Sequence, residues 1–570
     1  MAMGTQSVIS TGHTLATEAG MQILRRGGNA ADAAVAAGFA LAVTKPHQNG
    51  IAGEVPMLVY DAADQKTWAV SGAGVAPRAA TLEQYQSYGI DVIPGDGFLP
   101  MTVPSAVATY LLVLERFGTL RLSDVLAPAV EMAERGFPMY DALRDAIAGS
   151  AERYRNEWPA SAEKFLHDDN APPCGFIWKQ PHWAATFQAL IDHDRGQSDR
   201  AAGIAAARAA FYEGPTAATM AAFCQSTEIM DASGEAHRGL LSVEDLASFE
   251  AGLEDPITTA WQDLEIHKCS TWTQGAVLLQ SLNLLKGHDL ADMGHNSTDA
   301  IHTITECMKL AFADREFYYG DTDFVDLPLN ELLSETYADQ RRTLVNPDHA
   351  SEELRPGNRD PITATGLNDV NICFSDGDTT NFEVIDSAGN MVSGMPSGGW
   401  LMSSPVVPGL GFPLGTRGQM FSLVAGHPNC IAPGKRPRQS LTPSLATRGG
   451  RPCMVFGSPG GDCQDQWALQ FLLNVTVYGM SLQEAVEAPT FWTHHFPNSF
   501  YPRGAEPASL YIERRVPESV REALAGKGHR VTVQPAFAGG NTLAASIDPD
   551  SGLRCAAASP RLNPASAAGW

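Results

Sequence analysis

The stretch FSDGDTTNFEVID (residues 374–386) sets a polar turn directly against a strand-like run. Ser375, Asp376, Gly377 and Asp378 favour a backbone bend, whereas Phe382, Val384 and Ile385 carry the aromatic and β-branched side chains of a buried strand. Two threonines, Thr379 and Thr380, stand at the junction. Such a threonine is either ordinary strand-edge chemistry or a nucleophile placed where the chain can be attacked. Downstream, NFEVID (381–386), the turn SAGN and MVSGM (391–395) form a β-hairpin pattern. Upstream, residues 351–378 are rich in Pro, Gly, Asn and Asp without helical or strand period, and read as a mobile tail or linker.

Strand candidates recur beyond the hairpin at PCMVFG (452–457), LYIERR (510–515), HRVTV (529–533), LAASID (543–548) and LRCAAA (553–558). Helical segments lie between them: DQWALQFLLNVTVYG, SLQEAVEA with a capping box from Ser481 to Glu484, and PESVREALAGKG. Neighbouring strands joined by hairpins favour a sheet sandwich with outer helices over a parallel doubly wound sheet. Near the start, Thr17–Arg26 is amphipathic, Gly27 and Gly28 stop it, and Asn29 can cap a second helix from Ala30 to about Val43. That second helix is almost wholly Ala, Val, Leu and Phe, which predicts burial on most faces. MLVYD (57–61) and TWAVSG (67–72) read as a hairpin. From Pro104 to about Gly320 the pattern is helical, with Ser123 and Asp299 as N-caps and Gly136 as a C-terminal stop.

At 570 residues, 44% hydrophobic and 18% charged, the chain reads as a folded soluble protein. Acidic residues exceed basic ones, 64 against 39, and the net charge of −25 repels nucleic acid and acidic membranes, so neither is an expected partner. The N-terminal residues show no basic and apolar signal pattern and no span reaches membrane length, which predicts a cytoplasmic protein, or a periplasmic or secreted one if a leader has been removed. Nine scattered cysteines without a CxxC pair read as reduced core thiols. His494 and His495 lack a carboxylate or HExxH partner and read as structural or substrate-facing, with no metal site expected.

No GxSxG elbow, Walker A loop or Rossmann glycine motif is present. GSPGGD (457–462) reads on its own either as a reactive or anion-holding turn or as a plain strand-to-helix connection. Taken in order, however, GGNAADAAVAAGFALAVTKP, PSAVATYLLVLERFGTLRLSDVLAPAVEMAERGF, AFADREFYYGD, DTTNFEVID, PGKRPRQSLTPS, GSPGGD and ASPR resemble the γ-glutamyltranspeptidase family of N-terminal-nucleophile hydrolases over nearly the whole chain. The resemblance implies an α+β fold, a four-layer αββα sandwich forming a single domain over 1–570. It implies a precursor that cuts itself between Asp378 and Thr379 into a large subunit (1–378) and a small one (379–570). Thr379 would then be the nucleophile, its own new α-amine the base, with that amine titrating at about 7.7–8.0. Ser397 matches a second catalytic threonine that hydrogen-bonds the nucleophile, and Gly460 and Gly461 match the pair whose N–H groups hold the oxyanion. Asn381, where the family often has histidine, receives no chemical role.

The departures bear on the substrate. Ala73 stands where the family arginine grips the γ-glutamyl α-carboxylate, and Gln419 and Met420 replace the acidic pair that holds its α-amine. Of two serines in the carboxylate site, Gln439 replaces the first and Ser440 remains, while the loop Ser422–Pro433 is shorter than the usual lid. Arg417, Arg438 or Arg78 can supply a substitute cation, although a surface position is the simplest reading of each. The resemblance therefore implies an amidohydrolase or acyltransferase acting on a small amide that is not a standard γ-glutamyl compound, as in related cephalosporin acylases and an oxamate amidohydrolase. The alternatives are a true γ-glutamyl hydrolase or transpeptidase acting on glutathione-like donors, and a catalytically silent binding protein. No cofactor is implied, because nucleophile, base and oxyanion donors are all protein groups.

Overall fold

Period-two alternation along the strands divides their side chains between two apolar environments, and this builds the layers. In strand Met57–Asp61, Met57 and Val59 pack toward helices while Leu58 and Tyr60 face the other way. Val384 and Ile385 of strand Phe382–Ile385 divide in the same manner, as do Val392 and Met391 of Met391–Gly394. The computed structural model, which describes residues 1–358, 362–363 and 379–570, resolves this into two seven-stranded antiparallel sheets packed face to face. The first runs Ala2–Gly4, Arg554–Ala558, Leu543–Ile547, Arg451–Gly457, Ser444–Arg448, Leu264–Lys268, Ile257–Trp261. The second runs Ser566–Gly569, Val8–Thr11, Phe382–Ile385, Met391–Gly394, Met57–Asp61, Lys66–Ser71, Gly252–Glu254. Both sheets therefore combine strands from the two sides of residue 379, and helices cover the two outer faces, giving the αββα order.

Helix Ala30–Thr44 lies against the strand that follows Thr379, and every one of its 15 residues is buried. Asn29 starts it with a capping box: its Oδ1 accepts from Asp32 N at 3.0 Å while its own N–H donates to Asp32 Oδ2 at 3.0 Å. The preceding helix, Thr14–Arg25, begins three residues before the expected start because the His13 ring caps it, Nδ1 accepting from Leu15 N at 3.1 Å. Gly136 ends helix Leu122–Arg135 at φ +86, and the Ser481–Glu484 capping box forms as read.

Several expectations change. The region 104–320 is not purely helical, since Gly252–Glu254, Ile257–Trp261 and Leu264–Lys268 are sandwich strands. Ser123 is not an N-cap: helix Leu122–Arg135 starts from Arg121, and the Ser123 N–H donates to Asp194 Oδ2 at 3.3 Å. Ser297 replaces Asp299 as the cap of Thr298–Tyr318, its Oγ accepting from Ala300 N at 3.1 Å. Two predicted strands, Ser509–Glu513 and Arg530–Gln534, lie outside the sandwich in a separate three-stranded sheet and pair in parallel, because helix Glu518–Gly526 crosses between them. Of the expected linker, Glu353–Leu354 pairs with Ile362–Thr363, whereas the stretch up to Asp378 lies outside the described residues.

Candidate active site

Thr379 sits three residues before Phe382–Ile385, the third strand of its seven-stranded sheet. An antiparallel bridge joins it to Ser397, Thr380 N donates to Pro396 O at 3.1 Å, and both Thr379 and Ser397 are fully buried. Thr379 Oγ1 donates to Ser397 Oγ at 3.2 Å. The same Ser397 oxygen accepts from Arg417 Nη2 at 2.6 Å, and Arg417 Nε donates to Glu54 Oε1 at 2.5 Å. Glu54 is held by the backbone as well, exchanging two 2.9 Å hydrogen bonds with Ser397. Next to it Gly398 has φ +72, and a Cβ there would stand 2.6 Å from the Glu54 carboxylate, so only glycine fits. Thr379, Ser397, Arg417 and Glu54 thus form one buried hydrogen-bonded chain from hydroxyl to ion pair.

The guanidinium of Arg417 lies over the rings of Trp400 (5.5 Å) and Phe500 (5.6 Å). Phe500 also covers the glycine turn, since a Cβ on Gly461 would meet its ring at 3.1 Å. Gly460 adopts φ +135, and a Cβ on it would collide with Trp467 at 2.2 Å. The turn is anchored from behind: Asp462 accepts from Arg315 Nη1 at 2.6 Å, from Ser499 N at 2.7 Å and from Ser499 Oγ at 2.6 Å. Arg315, fully buried on helix Thr298–Tyr318, also donates to Gln274 Oε1 at 2.9 Å and Pro497 O at 2.8 Å. A second tie runs through Asn381, whose amide donates to Glu383 Oε1 (3.1 Å) and to Gly457 O (3.0 Å), joining the strand after Thr379 to the strand that leads into the turn. Burial pushes the Glu383 carboxyl well above the usual carboxylate range.

The remaining expected site residues fall into distinct groups. Gln439 and Ser440 are buried beside this network; Gln274 N donates to Gln439 O at 2.9 Å, and neither the Gln439 amide nor Ser440 Oγ has a hydrogen-bond partner among the described residues. Met420 lies against the site, its Sδ 3.9 Å from Arg417 Nη1. The Gln419 side chain is instead consumed structurally, donating to Gly95 O at 3.0 Å and accepting from Tyr501 N at 3.1 Å. Ala73 is a small core residue between the sheets. The surface reading holds for Arg78, whose side chain is 65% exposed, and fails for the other two arginines. Arg438 is buried, donating to Glu316 Oε1 and Arg315 O at 2.8 Å each, and Arg417 points into the site. His495 is structural, Nδ1 accepting from Ala508 N at 2.9 Å and Nε2 donating to Glu353 O at 3.0 Å. Asp378 lies outside the described residues. Sequence reading missed Glu54, Trp400, Phe500 and Arg315; the acidic residue in GIAGEVP, interrupting a glycine-rich apolar run, is the one signal that pointed to Glu54.

Residues 16–569 match the family model described as gamma-glutamyltranspeptidase. The chain belongs to this family. The acylase ACY 1 proenzyme of Pseudomonas sp. (strain SE83) is 33% identical over 567 residues, covering 98% of this chain and 92% of the relative. The glutathione hydrolase proenzyme of Bacillus subtilis (strain 168) is 30% identical over 560 residues, 96% and 89% of the two chains. Among solved structures, LmbA2991HD superposes with a TM-score of 0.96 at 42% identity, over 100% of this chain and 99% of the other. The cephalosporin acylase from Bacillus halodurans gives 0.85 at 28% identity, over 100% and 96%. The expected α+β sandwich of the N-terminal-nucleophile type and membership among amide hydrolases and acyltransferases therefore both stand. No helix among the described residues is long and apolar enough to cross a membrane.

Proposed function

We propose that the protein is a self-processing amidohydrolase or acyltransferase that cuts itself before Thr379 and cleaves a small amide through an acyl-enzyme on that residue. The observation that carries this reading is the 3.2 Å bond between Thr379 Oγ1 and Ser397 Oγ, buried within a site whose glycine turn and Arg417 share the ring of Phe500. Cleavage exposes the Thr379 α-amine, which titrates at about 7.7–8.0 when unperturbed and accepts the hydroxyl proton at neutral pH. The Thr379 oxygen attacks the amide carbon. Gly460 and Gly461 N–H groups receive the oxyanion, each donor worth about 3–4 kcal/mol in comparable sites. As the C–N bond breaks, the α-ammonium returns its proton to the leaving amine, and water or an acceptor amine then takes the acyl group. Ser397, polarised by Arg417, orients the nucleophile's hydroxyl. The two halves of the chain, 1–378 and 379–570, remain partners within one sandwich.

Standard γ-glutamyl donors fit this site poorly. With Ala73 in the core, Gln419 bonded elsewhere and Met420 a thioether, the cation for the α-carboxylate and the carboxylates for the α-amine are absent from their family positions. A second reading, γ-glutamyl hydrolysis or transfer, is favoured by the inward Arg417 and by a relative named as a glutathione hydrolase. The test is intact mass spectrometry of the wild type beside Thr379→Ala. Two fragments meeting at 378/379 in the wild type alone support the assignment, and an uncut wild-type chain removes it. Release of 4-nitroaniline from its γ-glutamyl derivative then separates the two readings.

A further inference from the structure

The bridge between Thr379 and Ser397 keeps the register that pairs Glu383 with Ser393, so Thr379, Asn381 and Glu383 share one face of an extended run, the face that Ile385 continues between the sheets. Asn381 crosses that gap. Its Nδ2 donates to Glu383 Oε1 at 3.1 Å and to Gly457 O at 3.0 Å, on the last residue of strand Arg451–Gly457 in the opposite sheet. A carbonyl oxygen only accepts, so the amide nitrogen must face Gly457, and both of its hydrogens are then used. Gly457 leaves the room for this, since a Cβ on it would stand 2.8 Å from Met395 Sδ, 3.1 Å from Glu383 Oε1 and 3.4 Å from Asn381 Nδ2. The crosslink thus joins the strand of Thr379 to the strand that ends in the glycine turn.

Glu383 is fully buried, and no donor is left to hold it as a carboxylate. The cation acting on it is Lys268, whose three N–H groups are spent on Asp465 Oδ1 (3.0 Å), Thr442 O (2.9 Å) and Ser444 Oγ (2.8 Å). Burial therefore keeps the acid neutral, its carboxyl pushed well above the usual carboxylate range. A neutral carboxyl still presents an oxygen to the Asn381 amide, and a glutamine in its place would present the same one.

We propose that Asn381 and Glu383 are positioning residues for acyl transfer: the Glu383 carboxyl aims the Asn381 amide at Gly457, and that bond sets where the Thr379 hydroxyl stands relative to the N–H groups of Gly460 and Gly461; this rests on Thr379 being the nucleophile and the glycine pair the oxyanion donors. The two side chains bond to each other and to a backbone carbonyl, so their loss should slow the chemical step without weakening capture of the substrate. A misplacement of reacting groups by about 1 Å costs on the order of 10²-fold in rate.

The probe is 4-nitrophenyl acetate. Attack by Thr379 Oγ1 on its carbonyl forms an acetyl ester on Thr379 and releases 4-nitrophenolate, while the hydroxyl proton passes to the α-amine. Release at increasing probe concentration, less that by Thr379→Ala, gives a limiting rate and a half-saturation concentration for each protein, with processing checked by mass and folding by urea midpoint. Asn381→Ala and Glu383→Leu should each lower the limiting rate on the order of 10²-fold with half-saturation little changed. The double variant should fall no further than either single one, because all three break the same bond. Glu383→Gln should recover most of the rate that Glu383→Leu loses. A variant that folds but stays uncut counts as slowed, since self-cleavage draws on the same hydroxyl, and Glu383→Gln must then be cut. An unchanged limiting rate in Asn381→Ala, a change in half-saturation alone, losses that multiply in the double variant, or a Gln variant as slow as the Leu one overturns the proposal. Should Asn381→Ala or Glu383→Leu fail to fold, Glu383→Gln decides: a limiting rate near that of the wild type supports the neutral tie, and a loss on the order of 10²-fold overturns it. A wild type no faster than Thr379→Ala defeats the nucleophile assignment itself, and the positioning role falls with it.

Discussion

Replacing Arg315 by Met tests whether the glycine turn owes its geometry to the ion pair behind it. Arg315 and Asp462 form a 2.6 Å pair with side chains 0% and 2% exposed, and the arginine reaches the turn from a helix on the other side of residue 379. Removing one partner of such a pair costs about 3–5 kcal/mol. The two hydrogen bonds from Ser499 still hold Asp462, which places the expected loss near the lower end, about 3 kcal/mol. Arg315→Met/Asp462→Leu strands no charge, because Glu316 keeps Arg438, but it leaves the two Ser499 donors without Asp462, so it should recover only part of that stability while leaving the turn untethered. Neither residue touches the reacting atoms, so the catalytic effect is bounded by the loss of one oxyanion donor, about 10²–10³ in kcat with KM little changed. Urea midpoints and kcat on an anilide that the wild type turns over give both quantities. A variant that loses about 3 kcal/mol yet keeps wild-type kcat would show that the pair supports the fold alone, and the reasoning would be wrong.

Gly460→Ala places a methyl 2.2 Å from Trp467 at φ +135, and should lower kcat by about 10²-fold even in a Trp467→Leu background, because removing the ring does not relieve the dihedral. Lys45 is fully buried near His13 and His47, and burial lowers its amine to about 7 from an ordinary 10.5. The unfolded chain binds the proton between those values and the folded one does not, so the lysine's destabilisation is full below pH 7, about 5 kcal/mol, and fades as pH rises toward 10. Lys45→Met should therefore stabilise the protein most at or below neutral pH, a difference that chemical denaturation at pH 6.5 and 9.5 can read. Asn29→Ala, which removes the capping box of the buried helix, should cost about 1 kcal/mol in the same assay.

The hairpin after Thr379 was legible because its side chains alternate between two apolar environments, and the buried helix because it has no polar face. The strands Ile257–Trp261 and Leu264–Lys268 escaped although Leu264, Glu265, Ile266 and His267 alternate apolar with polar, because each is only five residues long and both lie within a long stretch read as helical. Ser509–Glu513 and Arg530–Gln534 were legible as strands but not as members of a separate sheet, since local pattern does not say which edge a strand joins. Thr379, Ser397 and the glycine pair were named as candidates through the family resemblance that the motifs carry, and the structure brings Thr379 and Ser397 into contact. Arg417 was named from its sequence neighbourhood, but its inward direction depends on Glu54, 363 positions away in the chain, and no local signal encodes a pairing at that separation.

The interleaving of strands from both sides of residue 379 has a kinetic consequence. An intact chain brings its strands together within one molecule, at an effective concentration set by its own loops. Once a cut falls before Thr379, the same two sheets must be rebuilt from separate pieces, so refolding becomes second order and slows on dilution, although the native contacts are unchanged. Processing would thus make assembly a one-time event: the uncut form would refold at a rate independent of protein concentration, and the cut form, once unfolded and diluted, would be left as two halves searching for each other.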